Sequence, residues 1–434
     1  MVMGNQDLQK EKMKMKNAAK GLLDFIDKSP TCYHVVENIK IRLEDAGFQQ
    51  LKETEDYELQ LGEKYYVVRN DSSVIAFAIP ENKPEGFRLV ASHSDFPGFK
   101  LKENPEVAME SAYVKFNVEK YGGMILSTWL DRPLSVAGRV VVKEENKLVT
   151  KLIDFDENLC IIPNVAIHFN REMNKGVEYN PQVDMQPLWS GKKEDSIKGM
   201  IAEKLQIEET QILGSDLFLY NREKGCFIGK EEAFMGAPRI DDLGCVYTAL
   251  EGFLDGKNAE YINVYCVFDH EEVGSRTRQG ADSDFLANTV SRIAGALDMM
   301  DQLPKMLANS ILMSADNAHA LHPNHPEKSD GKNAPVLNGG IVIKYHGNQQ
   351  YTTDAYTGAV VKDICNENEI PYQVFHNRSD IMGGSTLGNI SISHCSIPSA
   401  DIGLPQLAMH SAFETAGTKD VWDMVKYIKS FYSL

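Results

Sequence analysis

The sequence predicts an α/β fold of three layers with a mixed central sheet, interrupted by an inserted β-rich domain. Three observations predict it. With 434 residues and 43% hydrophobic composition, the chain can bury a large core, and more than one domain is expected. From "RIDDLGCVYTALEGFLDG" onward, helical patterns alternate with the apolar runs "INVYCVF", "SILMSAD", "GGIVIKY" and "PYQVFHN", the signature of a sheet covered on both faces. From roughly Phe96 to Met235 the texture changes to period-two alternation with polar turns, which reads as antiparallel strands. The expected boundaries are residues 1–95 and 236–434 for the α/β domain and 96–235 for the insertion.

The elements follow in order. "AAKGLLDFIDKSPTCYHVVENIKIRLEDAGF" spaces its apolar residues for two helices, broken around Ser29-Pro30. "EKYYVVRNDSSVIAFAIP" gives two strands across an Asn-Asp turn. In "GFRLVASHSDFPG" the short apolar run Phe87 to Ala91 is a buried strand ending in polar residues. "AYVKFNVEKYGG", "GRVVVKEENKLVTKLIDF" and "VAIHFNRE" alternate as strands of the insertion, with one helix near "EDSIKGMIAEKLQ".

Composition narrows the function. A net charge of −17 disfavours nucleic acid and anionic membranes as partners. The start, "MVMGNQDLQKEKMKMKNAAK", carries too much charge for a signal peptide, and no apolar run is long enough to span a bilayer. Seven scattered cysteines without a CxxC pair read as buried free thiols in a reducing compartment, hence the cytoplasm.

Acidic residues and histidines recur where apolar runs end. His93 and Asp95 close "LVASHSD", Glu271 and Glu272 close "VYCVFDHEE", and Asp316 closes "ILMSAD". Asp241 opens a helix in "APRIDDLG", and His410 lies in "GLPQLAMHS". Ligands of open α/β sheets bind at the carboxyl ends of the strands, so these distant pieces can meet in one cleft. A single Asp or His at a strand end is ordinarily a cap; five such pieces point to a metal hydrolase. Imidazole and carboxylate without sulfur suit zinc, and also manganese or cobalt. Five ligands with one shared carboxylate hold two ions, which can activate a water and polarise a carbonyl together. The adjacent glutamates then divide the work: one ligates, and the other moves the proton from the water to the leaving amine. His322 and His325 in "LHPNHPEK" are followed by prolines, so no helix presents both imidazoles on one face, and they read as loop residues.

Across nearly the whole chain, "ASHSDFPGFKLK", "VAIHFNRE", "APRIDDLG", "FDHEEVGS", "SADNAHALHPNH", "VIKYHGNQQY" and "LPQLAMHS" resemble, in order, the M18 metallopeptidases, the aspartyl aminopeptidase family. The resemblance implies a peptidase domain interrupted by a β-rich assembly domain, and two zinc ions per subunit. It makes Asp241 the bridging ligand. His93 and Asp316 complete one site, Glu272 and His410 the other, and Glu271 is the general base. Asp95 stands behind His93 and fixes its imidazole. His168, Lys344, Tyr351 and His319 become substrate contacts, His168 in a neighbouring subunit's site and Lys344 opposite an acidic N-terminal side chain. The expected activity is removal of N-terminal Asp or Glu from peptides with free N-termini. The alternatives are a broad or neutral aminopeptidase and a non-catalytic, shell-forming relative. The expected assembly is a tetrahedral dodecamer built from dimers. Asp242 departs from the asparagine expected there, and "HNRSDIMGGSTLGNI" supplies backbone donors near the substrate.

Overall fold

The computed structural model describes residues 5–434 apart from 111, 112, 382 and 385. Its largest sheet has nine strands in the order Gln49–Leu51, Lys64–Arg69, Ser73–Ala78, Tyr261–Phe268, Gly86–His93, Ile311–Ala315, Ser399–Gly403, Ile341–Lys344 and Tyr372–Phe375. The four strands from Tyr261–Phe268 to Ser399–Gly403 are mutually parallel, while Ser73–Ala78 and Ile341–Lys344 run antiparallel to their inner neighbours. The sheet is therefore mixed, as expected. Tyr261–Phe268, Gly86–His93 and Ile311–Ala315 are buried almost throughout, which explains their unbroken apolar runs.

One face packs on helices Asn5–Asp27, Cys32–Asp45, Ile240–Asp255, Ala355–Glu367 and Thr418–Phe431, through a core that includes Leu22, Val36, Val246, Val361 and Ile428. The other packs on helices Phe285–Ala296 and Leu303–Ala308, around Phe285, Val290, Ile293 and Met306. These are the three layers that the alternating pattern predicts.

A second, wholly antiparallel sheet has six strands in the order Lys147–Asp154, Leu134–Glu144, Ile212–Asn221, Gly98–Ala108, Val114–Tyr121 and Leu188–Ser190. It closes over its own core with helix Ile197–Leu205, around Phe99, Phe116, Val140, Ile201 and Leu219. A five-stranded sheet joins Cys226–Ile228 and Phe234–Ala237 to Glu414–Gly417, Pro405–Leu407 and Ala318–His319. Residues 226–237 therefore hydrogen-bond with the C-terminal part of the chain, not with the six-stranded sheet.

Two expectations need correction. "VAIHFNRE" is not a strand: residues 163–172 form loop and turn, and Asn164 to Phe169 are all exposed. The segment has no strand partner, so alternation alone does not make it β. All seven cysteines are free, but Cys226 is exposed, since its short strand lies at the edge of the five-stranded sheet. Among the described residues, no helix is long and apolar enough to cross a membrane.

Candidate metal centre

The parallel ladder pairs His93 with Phe268. The chain leaving Phe268 therefore starts beside the first histidine. His270 adopts a left-handed φ of 63°, and the turn Glu271–Val273 follows. In a continuing strand, adjacent glutamates would face opposite sides. The turn instead sends both side chains into one cavity of about 340 Å³. His93, Asp241, Asp316, His319, Lys344, Tyr351 and His410 line the same cavity.

Asp241 is the hub. One of its carboxylate oxygens lies 3.7 Å from His93 Nε2 and the other lies 3.3 Å from His410 Nε2. His410 Nε2 is also 3.3 Å from Glu272 Oε1. Two clusters of donor atoms share Asp241: one comprises His93, Asp241, Asp242 and Asp316, the other Asp241, Glu272 and His410. Within each, all donor atoms lie within 4.8 Å of one another. A third grouping joins His93 to both Glu271 and Glu272.

Charge is crowded and buried here. Burial raises the carboxyls of Glu271 and Asp316, and it raises Glu272 to about 7 against the pull of His410. Burial works to lower His410, but its hydrogen bonds to Asp241 and Glu272 carry it up to about 11. Burial likewise opposes protonation of His93, yet the Asp242 carboxylate raises it well above the ordinary value. Asp241 stays below its ordinary range because His410 and His93 outweigh its burial. Asp241 Oδ1 is buried with no hydrogen-bond partner. An unpartnered carboxylate oxygen among imidazole and carboxylate donors fits a divalent cation of the zinc type.

Supporting contacts orient the donors. His93 Nδ1 is 3.0 Å from the main-chain oxygen of Asp95 and 3.4 Å from its carboxylate. The nearer partner of the imidazole is thus a carbonyl. The Asp95 carboxylate accepts the backbone N–H groups of Glu271 and Glu272, each at 3.1 Å. Sequence reasoning missed Glu414. This buried carboxyl accepts the N–H of Asp241 at 3.0 Å and that of His410 at 2.7 Å. Its only sequence signal is a carboxylate four positions after His410. Asp242 is fully buried, and its Oδ2 accepts the His93 N–H at 3.2 Å. An asparagine oxygen can do the same, so the departure adds an ionisable carboxyl, which burial pushes well above its ordinary range, beside the donors of His93 and Asp241.

Lys344 is 2% exposed, and its Nζ donates to the carbonyls of Asp316 and Asn317 at 2.7 and 3.3 Å. The Tyr351 ring centroid lies 5.2 Å from that ammonium. His168 does not line the cavity of its own chain; it sits in the exposed loop 163–170 with Val165, Ile167 and Phe169, the last 87% exposed. His322 and His325 lie on a separate cavity that shares His319 and Phe375 with the metal cleft. Met382 and Ser385, in the Gly/Ser/Thr-rich stretch, lie outside the described residues.

Nitrogen and oxygen donors gathered at the carboxyl ends of parallel strands, with no sulfur among them, define a candidate divalent-metal centre of the kind metal-dependent hydrolases use. Residues 25–432 match the family model described as aminopeptidase I zinc metalloprotease (M18). The chain belongs to the M18 family of zinc aminopeptidases. It is 45% identical to a probable M18 family aminopeptidase 2 of Clostridium novyi, over 98% of this chain and all of that one. It superposes on the cryo-EM structure of the Ape4 and Nbr1 complex with a TM-score of 0.93 and 34% identity, covering 97% of this chain and 86% of that chain. The mApe1 dodecamer of S. cerevisiae gives a TM-score of 0.84 at 28% identity, covering 96% of each chain.

Proposed function

We propose that this zinc aminopeptidase uses two divalent ions and removes N-terminal residues, preferring Asp and Glu. The observation that carries the two-ion reading is the position of Asp241, whose two oxygens face His93 and His410 separately. When bound, the ions supply Lewis acidity, lowering the pKa of water and polarising the scissile carbonyl. His93, Asp241 and Asp316 would hold one ion, and Asp241, Glu272 and His410 the other. Zinc suits this donor set, and manganese or cobalt are the alternatives.

Glu271 is the proton carrier in this reading. It lies in the cleft beside His93, and burial raises its carboxyl, which makes its carboxylate a stronger base than an exposed glutamate and lets it hold the proton once taken. It takes the proton from the attacking water and delivers it to the leaving amine. Lys344 and Tyr351 line the same cleft, and a buried ammonium there favours an acidic side chain at the substrate's N-terminus. His319 borders the cleft as a further substrate contact.

His168 acts on a neighbouring subunit. Its loop presents Val165, Ile167 and Phe169 to the outside of its own chain, as a segment that seats on a partner does. The mApe1 relative is a dodecamer, which supports a homo-oligomer here, and in this reading dimers are its building unit. The test is a panel of N-terminal dipeptides assayed with added zinc, manganese and cobalt. Fastest cleavage of Asp- and Glu-peptides is expected; equal rates on Leu- and Ala-peptides would establish broad specificity instead.

A further inference from the structure

We propose that Tyr121, a residue of the six-stranded sheet, is a positioning residue of the metal centre. This rests on the metal-binding reading of His93 and its neighbours. Tyr121 ends strand Val114–Tyr121 and pairs with Gly98 across the sheet. Its hydroxyl leaves that sheet and donates to Asp95 Oδ2 at 2.5 Å. Asp95 is 3% exposed, and its carboxylate already accepts the N–H groups of Glu271 and Glu272. One hydroxyl thereby fixes the carboxylate that sets the backbone of both glutamates and lies behind the His93 imidazole.

The next residues extend the grip. Gly122 has a φ of +73°, and a Cβ placed on it would lie 3.2 Å from Glu272 Cβ, so the chain passes against the ligand itself. The Gly123 carbonyl accepts from His410 Nδ1 at 2.8 Å, which leaves Nε2 free to face Asp241 and Glu272. The Ile125 N–H donates to the His410 carbonyl at 3.0 Å. The segment Tyr121–Ile125 thus touches the supports of both donor clusters. The sheet expected to serve assembly also frames the centre of its own chain.

The hydroxyl is the testable atom. Tyr121→Phe keeps the ring, which packs edge-on against Phe218 at 5.6 Å, and deletes the donor. A buried carboxylate oxygen then loses a partner and can rotate. Partners behind metal ligands typically matter by about 10- to 100-fold in affinity. The experiment measures zinc affinity by chelator competition, the visible spectrum of cobalt-loaded protein, and thermal unfolding of metal-free protein. Tyr121→Phe is expected to unfold at the wild-type temperature without metal, to bind zinc at least about tenfold more weakly, and to shift the cobalt bands. Phe218→Leu, which removes the ring neighbour and keeps the hydroxyl, is expected to bind zinc normally. Wild-type affinity and spectrum in Tyr121→Phe would overturn the proposal. So would equal weakening in Phe218→Leu, or failure of Tyr121→Phe to fold, since packing or folding would then be the role. A wild-type protein that takes up no metal would overturn the metal reading as well, and only that outcome reaches so far.

Discussion

Lys344 Nζ stands 3.4 Å from Asp316 Oδ2 and donates to the carbonyl of the same residue. The lysine assigned to the substrate therefore also holds a candidate metal ligand. Lys344→Met is expected to reduce cleavage of Asp- and Glu-peptides at least about tenfold more than cleavage of Leu- and Ala-peptides, because a buried charge pair that loses one partner costs several kcal/mol. Metal content should be measured on the same samples. An equal loss on all substrates with reduced metal would assign Lys344 to Asp316 alone.

His93→Ala and His410→Ala each remove the donor that faces one Asp241 oxygen. Each is expected to lose one ion per chain and nearly all turnover. Elemental analysis of reconstituted protein checks this, and two ions retained in either variant would contradict the shared-carboxylate arrangement.

The adjacent glutamates should separate. Glu272 meets His410 at 3.3 Å, whereas Glu271 makes no such contact. Glu271→Gln is expected to keep both ions and lose about a hundredfold or more in kcat, the scale of a lost general base. Glu272→Gln should lower metal content. Equal metal loss in both would reverse the division of labour.

His168→Ala is expected to retain metal and assembly and to lose most turnover, since its loop lies outside the cleft of its own chain. Interface variants that yield stable monomers should be nearly inactive with full metal. Sedimentation and peptide assay on one sample check both; a fully active monomer would end the shared-site reading.

A pH effect on stability is expected from a histidine that does not line the metal cleft. Burial lowers the His34 pKa from 6.5 to about 4, and its Nδ1 contacts Thr31 Oγ1 at 2.8 Å. A histidine with a depressed folded pKa is neutral in the native state and charges on unfolding. Its contribution is present above pH 6.5 and is lost as pH falls from there toward 4. The shift corresponds to at most about 3 kcal/mol. Denaturant unfolding of metal-free His34→Gln should show a shallower decline across that window than wild type.

The layers were legible because buried parallel strands leave continuous apolar runs, as in Tyr261–Phe268, and polar residues mark where such runs stop. Periodicity failed at Val165–Glu172, where alternation arises on a loop that no strand of its own chain covers. That these histidines and carboxylates meet in one cleft was legible because such residues at strand ends are chemically conspicuous. Tyr121 was not, since an aromatic residue closing an alternating strand reads as ordinary sheet packing. Glu414 was hidden for another reason. It bonds two backbone N–H groups, and main-chain partners leave no trace in the sequence.

The sheet order carries a consequence for biosynthesis. Ser399–Gly403 lies between Ile311–Ala315 and Ile341–Lys344, although both neighbours are translated before it. A growing chain therefore holds a slot in the middle of its sheet, with one side of Ile311–Ala315 unpaired until the late strand emerges. Such an edge is a template for pairing with other chains. His410 and Glu414 follow that strand, so the nascent chain meets its aggregation hazard before its hydrolytic centre can be complete. Chaperone dependence during synthesis, and no peptidase activity in nascent chains from which Ser399–Glu414 has yet to emerge, are what this topology implies.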